Sequence, residues 1–343
     1  MRAAVMSGGV ITIEEVPDPI PARGQVVIAP DATGICGSDL HARVVFAELA
    51  ENNPEMVMAI IPGHEVAGEI VAIGPDTDTS LRVGDLATSI PFTPGQLAPE
   101  TIGLSPIHPG GLADLVAFDA TRTWALPNGM DPRLGALVEP ISVAAHALAH
   151  ASEEGPLVVI GAGPIGLAII AVASLAGRGP IIAVEPSVQR RDAAARLGAD
   201  ATYGPGTPIV ELLAEHGHRV ATISPLLDAD PGAATIFECV GQPEVVRSII
   251  AEVPSHGRVV LAGACSHPVQ VDPLQLTLHE ATVTASFAYR PNEFRASIEL
   301  VASHPDVFGQ LITSDRPLEE TEGAFDDLAG DPRELKILIH PNR

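Results

Sequence analysis

The stretch Val158–Ile170, VVIGAGPIGLAII, decides how this chain folds. A run of β-branched residues stops at Gly161, and a second apolar run follows the glycines. Gly161, Gly163 and Gly166 thus form G-x-G-x-x-G between a strand-like and a helix-like segment. Each glycine has a physical task there: a tight turn, close approach of backbone amides to a pyrophosphate, and close packing of helix on strand. The wider segment Gly155–Gly177 is uncharged and, at 23 residues, about long enough to span a bilayer. Gly161, Gly163, Pro164 and Gly166 interrupt it where a membrane helix would be continuous, so it reads as buried strand, turn and buried helix.

Outward from this stretch, residues 155–287 alternate apolar strand runs (LVVIGAG, IIAVEP, ATIFECVG, RVVLAGA) with helix-like runs such as SVQRRDAAARLGA. That alternation predicts an α/β doubly wound parallel sheet. Up to about residue 140 the chain is made of short strand-like runs between Gly, Pro and Asp turns, which predicts mostly antiparallel β. The tail from residue 288 reads as helices that pack back on the first region. The expected domains are 1–143, 144–287 for dinucleotide binding, and a return segment 288–343. At 343 residues two cores are expected, since one core rarely grows beyond ~250–300 residues.

The second strand of the parallel region, IIAVEP, ends in Glu185, 19 residues beyond Gly166. This is close to the ~20-residue spacing of an acid that hydrogen-bonds an adenosine ribose. A carboxylate there repels a 2′-phosphate, so NAD is expected over NADP; Arg190 and Arg191 just downstream argue the other way. The expected cofactor-binding set is Gly161, Gly163, Pro164, Ile165, Gly166, Glu185 and Arg190.

Bulk properties exclude other classes. A net charge of −24 repels a nucleic-acid backbone. Cys36, Cys239 and Cys265 are too few for a disulfide framework and suit a reducing cytoplasm. The N-terminus lacks the apolar core of a signal peptide. Lys336 is the only lysine, a bias to which no mechanistic meaning attaches at this level.

GICGSDLHAR, Gly34–Arg43, holds a cysteine between glycines and reads as a site rather than core. Zinc takes thiolate, imidazole and carboxylate ligands, three of them in a catalytic site. Cys36 is the first candidate, His64 in IPGHEVAG the second with Glu65 beside it, and Glu139 in LVEPISVAAHAL the third. Separations of 28 and 75 positions say nothing by themselves.

Taken together and in order, GICGSDLH, GHEVAGEI, VGD, GGLADLV, VEPISVAAHAL and VVIGAGPIGLA resemble the zinc-dependent medium-chain alcohol and polyol dehydrogenases, over nearly the whole chain. VEPISV is most similar to the sorbitol, butanediol and secondary-alcohol branch. The resemblance implies a GroES-like catalytic domain, a Rossmann domain, NAD, and one catalytic zinc on Cys36 and His64 with Glu65 or Glu139. It implies a proton relay from Ser38 to His41, with Asp39 orienting a ligand histidine or capping the following turn. The four cysteines that hold a structural zinc in many relatives have no counterpart in the Pro-rich segment Ile90–Gly111, where only His108 could ligate, so no structural zinc is expected.

Other residues have plainer readings. Cys239 fits a buried strand, and Cys265 follows one near the nicotinamide end. His146 and His150 have the i, i+4 spacing of a helical metal pair but lack the Glu of H-E-x-x-H, and read as packing residues. The apolar HEATVTASF strand suits pairing across a two-fold axis, and the resemblance implies a homodimer or homotetramer. The leading activity is oxidation of a secondary alcohol or polyol, or the reverse. A zinc-free quinone or enoyl reductase of this fold and a non-catalytic dinucleotide-binding protein are the alternatives.

Overall fold

Val158–Ile170 folds as strand, turn and helix: the strand is Leu157–Ile160 and the helix Pro164–Leu175. In this computed structural model the described residues are 1–53, 55, 58–93, 100–218 and 234–342. The chain divides into two units, Met1–Glu139 with Phe294–Arg343, and Pro140–Glu293.

In chain order the first unit begins with β1 (Arg2–Ser7), β2 (Val10–Glu15), β3 (Gln25–Gly34), α1 (Gly37–Asn52), β4 (Ala59–Ile60) and β5 (Glu65–Ile73). It continues through β6 (Leu86–Ser89), β7 (Phe92–Thr93), β8 (Glu100–Thr101), β9 (Val116–Asp119), β10 (Thr123–Ala125) and α2 (Pro132–Ala136) to the start of α3 (Val138–Ala149). The second unit runs β11 (Leu157–Ile160), α4 (Pro164–Leu175), β12 (Ile181–Val184), α5 (Val188–Arg196), β13 (Ala201–Tyr203), α6 (Ile209–Glu215), β14 (Thr235–Glu238), α7 (Pro243–Glu252), β15 (Arg258–Leu261), α8 (Pro273–His279) and β16 (Thr282–Ala285). The chain closes with α9 (Pro291–Ser303), α10 (Pro305–Phe308), β17 (Ile312–Pro317), α11 (Thr321–Gly330) and β18 (Lys336–His340).

The second unit is the doubly wound sheet that the alternation predicts. Its six parallel strands lie in the order β13-β12-β11-β14-β15-β16, reversing direction of travel at β11 and β14. Ligands bind at such switch points, outside the carboxyl ends of the strands. α4 is buried on every side from Gly166 to Ala173, which explains a helix with no polar face there. Among the described residues no helix is long and apolar enough to cross a membrane.

The first unit is built on a mixed sheet of order β10-β6-β5-β3-β18-β17, with β9 also paired to β3. Two local readings change here. GSDLHARVVFAELAEN is a 16-residue helix, α1, rather than part of a run of strands. Its start is stabilised by Asp39, whose Oδ2 accepts the Cys36 amide at 2.9 Å. The tail, read as helices, also supplies β17 and β18. β18 is buried at all five positions, and so short an apolar run carries no period that separates strand from helix. β18 runs antiparallel beside β3, pairing Leu338 with Gly34 and Ile339 with Thr33.

Candidate active site

The strands β5, β3 and β18 lie side by side, and their ends assemble the site of the first unit. Gly34 on β3 pairs with Glu65 on β5. A Cβ at Gly34 would stand 2.0 Å from Glu65 Oε2, so only glycine lets the carboxylate fold across β3. It then meets Lys336 on β18: Nζ donates to both Glu65 oxygens at 2.7 Å and to the Ile35 carbonyl at 2.9 Å. Lys336 is 2% exposed and Glu65 0%. All three ammonium protons are thereby used. Burial pushes the Lys336 pKa down, but the charges of Glu65 and Cys36, the hydrogen bonds to Glu65 and the charge of Glu139 outweigh it, and the ammonium is held above its ordinary value.

Two residues past β3, Cys36 caps α1 in an extended conformation. Ser38 and Asp39 occupy the first turn and both face His64, which follows a turn at Gly63 with φ +97°. Ser38 Oγ lies 3.2 Å from His64 Nε2. Asp39, fully buried, spends Oδ2 on the Cys36 amide while Oδ1 stands 3.4 Å from His64 Nδ1. Asp39 therefore caps the helix and backs the histidine at once. Burial pushes the His64 imidazolium down, but the charges of Asp39 and Cys36 win and raise its pKa well above the ordinary value. His41 lies one turn further along α1 and is exposed. Glu139 is buried in the first turn of α3.

Thiol and imidazole at Cys36 and His64 are the donor types zinc takes, and the charge of one acts on the other. Glu65 is placed on Lys336, which donates to both of its oxygens. Among the described residues no three His, Cys, Asp or Glu side chains converge as a metal-holding group. In the Pro-rich segment, residues 94–99 lie outside the described residues, and His108 stands 3.2 Å from Glu100.

In the second unit, Gly161 turns at φ +94°, and a Cβ at Gly166 would stand 1.9 Å from the Gly161 carbonyl oxygen. Gly163 has open space where a side chain would be, so a ligand can reach its backbone. Pro164 and Ile165 start α4, whose first amides point the same way. Glu185 ends β12 and is tied to the turn: Oε2 accepts the Ala162 amide at 2.8 Å and Oε1 that of Ser187 at 3.0 Å. Arg191 folds back onto the Glu185 and Pro186 carbonyls, at 2.6 and 2.8 Å. Arg190 keeps a buried Nε without a partner. The carboxyl ends of β14, β15 and β16 border a cavity of about 660 Å³, with Glu238, Gly263, Cys265, Ser286 and Phe287 in its wall. Cys239, half-buried one residue past β14, has its thiol pushed up by burial and then by Glu238, which suits an inert cysteine.

Lys336 is the site residue that the linear reading missed. Its one signal was being the sole lysine, at the head of an apolar run. His146 and His150 also do more than pack: His146 Nδ1 lies 2.9 Å from Glu293 Oε2, and the two Nε2 atoms are 3.4 Å apart.

A dinucleotide-type sheet joined to a unit presenting cysteine, serine and histidine defines a dehydrogenase of the zinc-binding class. The family models agree: residues 22–128 match the alcohol dehydrogenase GroES-like domain and residues 164–303 the zinc-binding dehydrogenase domain. The chain is 30% identical over 344 residues to D-xylulose reductase of Saccharomyces cerevisiae, covering 96% of this chain and 93% of that one. It is 29% identical over 361 residues to sorbitol dehydrogenase of Bacillus subtilis, covering 100% and 98%. Among solved structures, 2R,3R-butanediol dehydrogenase from Bacillus subtilis superposes with a TM-score of 0.82 at 27% identity, covering 99% of each chain. The chain belongs to the zinc-type medium-chain alcohol and polyol dehydrogenases, and is an oxidoreductase.

Proposed function

We propose that the protein is an NAD(H)-linked, zinc-dependent dehydrogenase interconverting a secondary alcohol or polyol with its ketone. The observation that carries this is the cluster at the start of α1, with Ser38 Oγ 3.2 Å from His64 Nε2 and Asp39 behind the other ring nitrogen. Cys36, His64 and Glu139 would hold the zinc, Glu65 being committed to Lys336. When bound, the ion supplies Lewis-acid polarisation of the substrate oxygen. Ser38 can hold a proton at Oγ and pass it on, since a hydroxyl both accepts and donates. His41, exposed one turn away, would pass that proton on to water. The names of the relatives support a polyol or secondary alcohol as substrate.

The glycine turn and the α4 amides suit a pyrophosphate, and the cavity at the strand ends is room for the reactive end of a dinucleotide. Glu185, fixed beside that turn, favours a free ribose hydroxyl over a phosphate. Steady-state kinetics over a panel of secondary alcohols, with NAD and NADP, together with zinc per subunit, test the reading. The expected result is higher kcat/KM with NAD and a zinc content near one per subunit. Preference for NADP would remove Glu185 as the selector, and zinc near zero, not restored by addition, would leave the zinc-free reductase. Ser38→Ala should lower kcat by about 100-fold or more. Turnover close to wild type would take Ser38 out of the relay.

As to assembly, β16 is the outer strand of its sheet, and Val283 (37% exposed), Leu274 (61%) and Phe287 (80%) are open there. Such an edge is a template for another strand, and a second copy offers the same edge across a two-fold axis. We therefore propose a homodimer, or a tetramer of such dimers, paired through β16.

A further inference from the structure

We propose that His146 and His150 form a second, exchangeable site for a borderline divalent transition ion such as zinc or nickel, separate from Cys36 and His64. His146 lies in the last turn of α3 and His150 follows its final residue, four positions on, so both imidazoles leave the same side of the helix end. Their Nε2 atoms are 3.4 Å apart, and the rings stand edge to face with centroids 4.9 Å apart. Two nitrogens bound tetrahedrally to zinc at about 2.0–2.1 Å are separated by about 3.3–3.4 Å. The pair already has the spacing of a chelate.

Glu293, in the first turn of α9, sets the tautomer. Its carboxylate lies 2.9 and 3.1 Å from His146 Nδ1, so that nitrogen carries the proton and Nε2 keeps its lone pair. Carboxylates back metal-binding histidines in this way. Glu293 is itself held by the Arg290 amide, at 2.6 Å. Without an ion, His150 Nε2–H donates to the His146 lone pair. On binding, the ion takes both lone pairs, the remaining His150 proton resides on Nδ1, and one proton is exchanged for each ion when His150 starts protonated at both nitrogens, none when it starts neutral. No third His, Cys, Asp or Glu among the described residues joins them, so water completes the coordination. The His146 side chain is 14% exposed and that of Glu293 23%, which leaves water a path. Arg258 and Arg290 bring positive charge to bear on His150, which weakens the hold on a cation there.

The test is calorimetric titration of zinc chloride into the full chain, dialysed to constant metal content, for wild type, His150→Gln, Glu293→Gln and Cys36→Ser. Wild type and Cys36→Ser should both show the exchangeable ion. His150→Gln should lose it with unchanged turnover, and Glu293→Gln should bind it about tenfold or more weakly. Equal binding by wild type and His150→Gln, or loss of the ion in Cys36→Ser, would overturn the proposal. On the unmutated chain, zinc should protect His146 and His150 from acylation by diethyl pyrocarbonate, read by peptide mass mapping. Unprotected histidines would count against the site equally.

Discussion

A lysine without water around it must be paired, and Lys336 satisfies that need with one carboxylate and one carbonyl. Removing one partner of a buried pair strands the other charge, which costs about 3–5 kcal/mol. Lys336→Met should therefore destabilise the protein by that order in urea unfolding, with Glu65 left unpaired beside Cys36. The pH dependence follows from the raised ammonium pKa. A group whose folded pKa exceeds its unfolded value, about 10.4 for lysine, contributes fully below that value and loses its contribution as pH rises through the folded one. The gap between wild type and Lys336→Met should stay level from pH 7 to about 10 and close above it. A gap that closes already near neutral pH would show that the ammonium is not what holds Glu65. Cys36 and His64 were legible because each stands in a short recognisable run. Lys336 was not, because its partner lies 271 positions away.

The strand–turn–helix of β11 and α4 depends on glycine for contact as much as for conformation. A Cβ at Gly166 meets a backbone oxygen, which cannot swing aside as a side chain can. Gly166→Ala should weaken NADH binding by about tenfold or more, at least ~1.4 kcal/mol, in a fluorescence titration. Binding at wild-type strength would mean that the turn is not the pyrophosphate site. This element was readable in sequence because the contact that requires Gly166, to the Gly161 carbonyl, is local. α1 and β18 were harder. α1 opens on Cys36, whose neighbours suggested a turn, and its cap is set by Asp39, a residue that equally served a reading in which it backs His64. β18 has only three apolar residues, Ile337–Ile339, between Lys336 and His340, and its strand character comes from pairing beside β3.

At the scale of the molecule, β16 is the outer strand of its sheet among the described residues, and the proposed dimer extends that edge. Adding charge to that edge, as Val283→Lys with Phe287→Glu, should shift the light-scattering mass toward the 35.5 kDa of one chain. A wild type that already runs as a monomer would end the proposal. By itself the sequence determined the class of fold and the nature of the chemistry. Alternation of strand and helix, the glycine spacing and Glu185 act over neighbouring turns, and local periodicity records them. Only the tertiary structure decided which carboxylate Lys336 takes, that Asp39 serves both Cys36 and His64, and that Glu293 stands behind His146. Those pairs join residues brought together by sheet order and helix packing, and an ion pair imposes no period on the chain that could announce it.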